Sequence, residues 1–458
     1  MLVLLVIIAV FASIILMVAT LKYPSISLVF LLMAGTLKGL LAREFRFVGF
    51  LDPVILGAIW VLLAMMYNFV KTGKRLRDII TIPFVIYATL AAFLLFGLVY
   101  TSAPIYGFQK SIRFATIVLI MFLAPVVLVS SLKDLKLIIG ILFFMSIVYA
   151  IGTIIAPHAA LMSTAGLDRA AFAEAGPLAT AGILAMGVII AFCLAIAPHA
   201  LGGLKRLGIV MIPVMLIAMV WTGSRGPFFG LWLCVLAALF IYRKHVSKIW
   251  LVVVVATTVI ATSLIFIKLP YETTIRIGGV VMDKYETEKL TSVRTEMFRW
   301  AWENAKKRLI FGHGTGAYAV DRNGVDTGDW PHNIILELLY EQGLVGVALI
   351  SLFIWLILWR WRQASKLTYL CEPYMHKEAS HILHIAGLLF LFNLLQAMKS
   401  FDIVGNRWMF FSAGLVLAAF NCIRQATEEM YVEGELITNA WQQSEEGGFQ
   451  DAEVLYRC

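Results

Sequence analysis

His332-Asn333, followed after nine residues by Gly343-Leu344-Val345-Gly346, combines a titratable ring, an amide and two gaps at a spacing that could build a reaction site. Pro331 stands just before it, as at the first position of a helix, where proline forfeits no hydrogen bond. Continued as a helix, eleven steps from His332 make about three turns, so Gly343 falls beneath the imidazole and Gly346 about 60° to one side. The glycines would then let another helix approach closely. The ring would sit at the boundary with water, where the free amides of the first turn attract anions and lower the imidazole's pKa. A neutral imidazole near pH 7 can act as a general base. The plain alternative is an interfacial histidine that only caps the loop before it.

Arginines are the cations that could hold an anion beside such a base. Arg225 lies in Trp221-Thr222-Gly223-Ser224-Arg225-Gly226-Pro227, a break between two short apolar segments, where an unpaired arginine is costly and calls for an anionic partner. A snorkelling side chain at a helix end is the simpler reading. Arg294 and Arg299 lie in a polar stretch further on, with Arg276 upstream. Their planar guanidinium groups suit bidentate binding of phosphate or pyrophosphate, and a solvated surface role is the alternative for each.

Other polar clusters carry weaker signals. Gly312-His313-Gly314-Thr315-Gly316 lacks the lysine and hydroxyl ending of a phosphate loop and reads as a flexible turn. The run from Asp321 to Asp329 hints at a calcium loop, but Val325 replaces an oxygen ligand and the terminal glutamate is out of register. His381 and His384 sit one turn apart near Glu378, and packing or buffering suits them better than a metal. None of the five cysteines has zinc-ligand spacing, and none falls in the largest polar loop, so no structural disulfide is expected. Cys193 and Cys234 read as small apolar residues inside helices, whereas Cys371, Cys422 and Cys458 fall elsewhere. No carboxylate cluster demands a metal, and no cofactor is implied.

The elements that must position these residues are membrane helices. Hydrophobic residues make up 61% and charged residues 14% of the 458, far outside the soluble range. Apolar segments long enough to cross a bilayer recur, about thirteen in all, some of them short. They fall near 2–20, 25–41, 53–70, 79–100, 111–130, 135–156, 178–197, 207–221, 227–242, 248–268, 333–359, 381–400 and 404–423. The first twenty residues lack a basic leader and a small-residue cleavage site, so they read as a retained first helix.

The net charge of +9 is spread over short loops rather than gathered into a basic stripe with aromatics, which argues against nucleic acid. Alternate loops (near 71–77, 133–136, 205–206, 243–248 and 360–377) hold roughly twice the Lys and Arg of the other set, which makes them cytoplasmic by the positive-inside rule. The loop 269–331 and the Arg225 turn then share the outer side. Four parts follow: helices over 1–268, an extracytoplasmic loop over 269–331, helices over 332–423, and an acidic, loosely ordered cytoplasmic tail over 424–458. Within the loop, Val293, Met297, Ala301, Ala305 and Leu309 recur at four-residue spacing and predict an amphipathic helix over 291–310. Thr291 or Ser292 could cap it, Gly312 could end it, and it would lie along the membrane surface or cap the bundle.

The Ser-Arg-Gly break, the Arg294 helix, the glycine turn and the His-Asn to Gly-x-x-Gly spacing together resemble the bacterial O-antigen ligase superfamily. That family also contains polysaccharide polymerases and protein O-glycosylation ligases. The resemblance centres on 225–346 and implies an all-α, polytopic bundle of about 12–13 transmembrane helices with one large outer loop, similar to GT-C glycosyltransferases. It implies a glycan donor linked to undecaprenyl pyrophosphate, used on the outer face of the bacterial plasma membrane. The acceptor would be lipid A-core, another glycan or a protein. His332 would match the family's essential histidine, and Arg225 and Arg294 the arginines that hold the diphosphate, with Arg299 beside them. Asn333, Gly343 and Gly346 would shape the site. The implied chemistry is metal-independent displacement at the anomeric carbon with inversion. A polymerase using the same donor is the nearest alternative. A lipid-linked glycan transporter would instead place ionisable residues near the middle of several helices.

Overall fold

A computed structural model describes residues 15, 17–33, 52–73, 79–155, 158–159, 170–171, 176–196, 202–243, 284–370 and 373–447. Most of the expected span 2–20, part of 25–41, the whole of 248–268, and Arg276, Cys371 and Cys458 lie outside the described residues. Among the described residues, the regular structure is helical apart from a two-residue antiparallel pairing of His158–Ala159 with Ala170–Ala171. In order, the helices are α1 (Pro24–Met33), α2 (Pro53–Thr72), α3 (Ile82–Phe96) and α4 (Pro104–Leu128). There follow α5 (Leu132–Ile155), α6 (Gly176–Ile196), α7 (Gly202–Trp221) and α8 (Arg225–Ile241). The last five are α9 (Lys284–Ala305), α10 (Ala317–Asn323), α11 (Ile334–Leu367), α12 (Pro373–Ala397) and α13 (Arg407–Gly447). Among the described residues, eight helical stretches are long and apolar enough to cross a membrane, and the molecule is a polytopic membrane helix bundle.

The bundle closes on aromatic side chains. Tyr87 of α3 stacks on Phe114 and Phe122 of α4, and Phe353 of α11 and Phe410 of α13 complete the cluster. Phe114 opens a π-helical segment, Phe114–Val118, that loosens the hydrogen-bond ladder of α4. The Tyr87 hydroxyl donates to the Phe114 carbonyl at 2.6 Å, so the irregular turn is satisfied from a neighbouring helix.

The start of α4 departs from expectation. Pro104 opens the helix, seven residues before the apolar run at 111, because the polar residues of its first turns are buried and paired rather than solvated. Both carboxylate oxygens of Asp326 accept the amides of Ile105 and Tyr106 at 2.9 Å and cap the helix from the outer loop. The tail also differs: α13 continues without interruption to Gly447. Its Glu, Gln, Ala and Met residues favour helix intrinsically, and pairs such as Gln425 with Glu429 follow the i, i+4 rule.

The polar ends of the helices fall into two groups. At one end, Lys136 pairs with Glu378, the Tyr242 hydroxyl and His381 Nδ1 are hydrogen bonded at 2.8 Å, and Trp361 donates to His384 at 3.3 Å. These contacts gather several of the basic loops on one side, and they occupy both histidines in packing. At the other end lie the Arg225 turn, the polar loop of residues 284–331 and the start of α11.

Candidate active site

The start of α11 positions His332, though not as the spacing suggests. Asn333 is the N-cap, and its Oδ1 accepts the amides of Ile335 and Leu336 at 3.0 Å. The first-turn amides expected to attract an anion are therefore already occupied in part. His332 stands outside the helix with φ of 54°, a left-handed conformation uncommon for a residue other than glycine and worth reading as a functional constraint. Its ring consequently does not lie on the face that carries Gly343. The other end of the Asn333 amide donates to the Met398 carbonyl at 3.1 Å, which ties His332 to the end of α12.

Gly343 breaks α11 instead of lining it, with φ of 64° and ψ of −159°. In an unbroken helix the amides of Leu344 and Val345 would bond the carbonyls of Tyr340 and Glu341. Here those amides donate to Leu309 and Ile310, at 2.8 and 3.3 Å, while the Tyr340 and Glu341 carbonyls accept His313 and Gly314, each at 2.9 Å. All four groups released by the break are satisfied by residues 309–314, as burial at membrane depth requires. A Cβ on residue 343 would lie 2.3 Å from the Ile310 carbonyl oxygen. What approaches Gly343 is thus the outer loop, not a second helix. Gly346 has its space filled by Gln342 of its own helix, 2.4 Å from an ideal Cβ.

The glycine turn is correspondingly well packed, which corrects its reading as a flexible turn. Thr315 is fully buried, donating to the Leu94 carbonyl and accepting from Gln342, both at 2.6 Å. Its carbonyl would meet a Cβ on Gly107 at 2.3 Å, so α4 and the turn touch backbone to backbone. The His313 ring stacks on Tyr340 with centroids 4.4 Å apart, which commits this second histidine to packing. The aspartates of the suspected calcium loop are also committed: Asp321 accepts from Ser102 and Tyr340, Asp326 caps α4, and Asp329 pairs with Arg322.

The loop helix α9 begins at Lys284, so Thr291 and Ser292 lie inside it and do not cap it. Its predicted apolar stripe is buried at Met297, Ala301 and Ala305, the two alanines clustering with Tyr318 and Tyr340, whereas Leu309 is exposed beyond the helix end. Arg294 is exposed, and its charge reaches His332. Arg299 is also exposed but lies five residues on, about 140° further round the helix, so the two do not share a face. Burial pushes the His332 pKa below the usual histidine value, Arg294 pushes it down further, and Asp329 opposes them. The imidazole is neutral near pH 7, through burial and a neighbouring cation more than through the helix terminus.

Arg225 opens α8 with Ser224 at the N-cap position, and its side chain is exposed. The next carbonyl, of Gly226, accepts from Gln396 at 3.4 Å, which sets the first turn of α8 against the last turn of α12. Met398, bound by Asn333, follows two residues later. Arg225 and His332 thereby flank the same short turn after α12.

A charged cluster beneath this turn escaped the sequence reading. Lys110 of α4 lies 2.5 Å from Glu337 and 2.7 Å from both oxygens of Glu341, all three side chains at 0% exposure. Glu337 also accepts the Ile403 amide at 3.1 Å, and Tyr106 donates to Asp402 at 3.0 Å. The cluster pins the turn 398–406 to α11 and α4. Trp330 was missed as well: its ring meets His332 edge-on at 5.5 Å, and its buried indole N–H has no partner among the described residues. Glu337 and Glu341, each a single charge in a strongly apolar run, gave the one available signal, since such residues need a partner.

Fold and site define an integral-membrane protein with its chemically suggestive residues collected at one end of the bundle. Residues 210–351 match the family model for the O-antigen ligase domain, so that segment is similar to the O-antigen ligases. The matched segment runs from α7 through Arg225, α9 and His332 to beyond the Gly343 break. It supports an activity of the ligase or polymerase type, that of a glycosyltransferase-like enzyme using a lipid-linked glycan and an acceptor. No curated protein matches the chain.

Proposed function

We propose that this protein transfers a glycan from undecaprenyl pyrophosphate to an acceptor hydroxyl, lipid A-core or a related molecule, on the outer side of the bacterial plasma membrane. The observation that carries the reading is His332: neutral by environment, held in an uncommon backbone conformation, and set between Arg294 and the turn shared with Arg225. His332 takes the proton from the acceptor hydroxyl as its oxygen attacks the anomeric carbon. The bond from that carbon to the pyrophosphate oxygen breaks, the configuration inverts, and undecaprenyl pyrophosphate leaves with the bonding pair. Arg225 and Arg294 stabilise the charge that develops on it, work that preorganised cations do well in a site of low dielectric. Asn333 holds the histidine in place through Met398 and the helix start. Arg299 serves the donor from the edge of the site.

A gel assay tests this reading. Purified protein is given an undecaprenyl-pyrophosphate glycan and lipid A-core, and wild type is compared with His332→Ala. The expected result is a shifted core band, reduced about 10²–10⁴-fold in the variant as for loss of a general base. A ladder growing on the carrier lipid would make the protein a polymerase. No change in either lipid, with a donor that a control ligase uses, would overturn the transfer to lipid A-core.

A further inference from the structure

Lys399 sits between the two halves of the site without an anionic partner among the described residues. It follows Met398, whose carbonyl binds Asn333 beside His332. Its ammonium lies 3.7 Å from the centroid of the Phe229 ring. Phe229 is one helical turn from Arg225, on nearly the same face of α8. The lysine thus bridges from the His332 side of the turn to the Arg225 side.

A lysine just past a helix C-terminus is favoured by the helix dipole alone. This one is half-buried and seated on a different helix, which the dipole does not require. No described carboxylate lies within ion-pairing distance of it. Asp402, the nearest acid in sequence, is committed to the Tyr106 hydroxyl and the Gly405 amide. Burial lowers the ammonium's pKa, and among the described residues no acid offsets that. By contrast, the buried Lys110 nearby has two glutamates. A half-buried cation with no carboxylate beside it among the described residues, between a base and an arginine, has the form of an anion contact.

We infer that Lys399 is a donor-binding residue, which with Arg225 grips the diphosphate of the lipid-linked donor from the α8 and α12 side of the site, opposite Arg294. The inference rests on the function proposed above and adds a residue to it. Phe229 holds the ammonium by a cation–π contact until the diphosphate arrives. On transfer, the same ammonium stabilises the leaving group.

The test uses full-length protein in detergent with inorganic pyrophosphate as the probe, followed by calorimetry. Lys399→Met keeps the aliphatic stem on Phe229 and removes the charge. It should weaken pyrophosphate binding about tenfold, as for loss of a charged hydrogen bond, while Lys399→Arg restores most of it. In the transfer assay, Lys399→Met should raise KM for the donor and leave KM for the acceptor unchanged. Its unliganded melting temperature, equal to that of wild type, would separate this from misfolding. Pyrophosphate binding by Lys399→Met at wild-type strength would overturn the inference. Failure of the wild type to bind pyrophosphate would also overturn it. If that same preparation transferred glycan, the functional reading would stand, and if it did not, both would fall.

Discussion

The two ends of the bundle use polar residues in opposite ways. At the basic end, polar contacts join helices two at a time: Lys136 with Glu378, partly solvated, Tyr242 with His381, and Trp361 with His384, whose ring also meets Tyr242. At the loop end, Lys110, Glu337 and Glu341 are wholly buried, and their bonds extend through Ile403 to the turn that carries Lys399 and receives Asn333. There a single polar group supports several elements at once. The contrast teaches that charge at the basic end trims the fold, whereas the wholly buried charge at the loop end ties several elements together and must be compensated to exist there.

The comparison breaks most visibly at Glu341. Glu341→Leu leaves the buried ammonium with one carboxylate, and removal of a buried partner typically costs about 3–5 kcal/mol. Thermal unfolding in detergent should show a large drop, and a wild-type melting temperature would mean that the cluster contributes little to holding the loop. A smaller effect is expected at Arg294. His332 has a lowered pKa, so it is neutral in the folded protein down to a pH below the ordinary histidine value, and activity should fall only on the acid side of that value. Arg294→Gln removes one of the influences that lower the pKa, so the acid limb of the rate profile should move to higher pH. An unmoved limb would separate Arg294 from the base. The smallest effect belongs to the basic end: Glu378→Gln breaks a partly solvated ion pair and should change stability by about 0–1 kcal/mol. A loss as large as that for Glu341 would erase the distinction between the ends.

Much of the bundle was legible because a bilayer enforces runs of apolar residues, and such runs can be read without knowing their partners. The side shared by Arg225 and His332 was legible for the same reason, from the alternation of basic loops. What could not be read depended on partners distant in sequence. Lys110 sits in the polar opening of α4, and its partners lie 231 residues away and nearby on α11. Nothing local distinguishes it from a lysine at a helix end. The His332 to Gly343 spacing is visible in the sequence, where it fits helical periodicity equally well. A glycine with positive φ and one inside a helix look alike in sequence, and only the carbonyls of Leu309 and Ile310 decide between them. Asn333 was legible as part of a motif, yet its grip on Met398 was not.

The seam between residues 309–314 and 340–345 also governs what can be recombined. Its four bonds run from backbone to backbone, so they depend on register and not on side-chain identity. A chimera that joined the outer loop of one relative to the α11 of another would keep them only if both stretches retained their lengths. Deleting one residue from either would offset every bond in the seam. The contiguous stretch from residue 309 through residue 345 is therefore a single portable cassette, and its two ends have to be moved together.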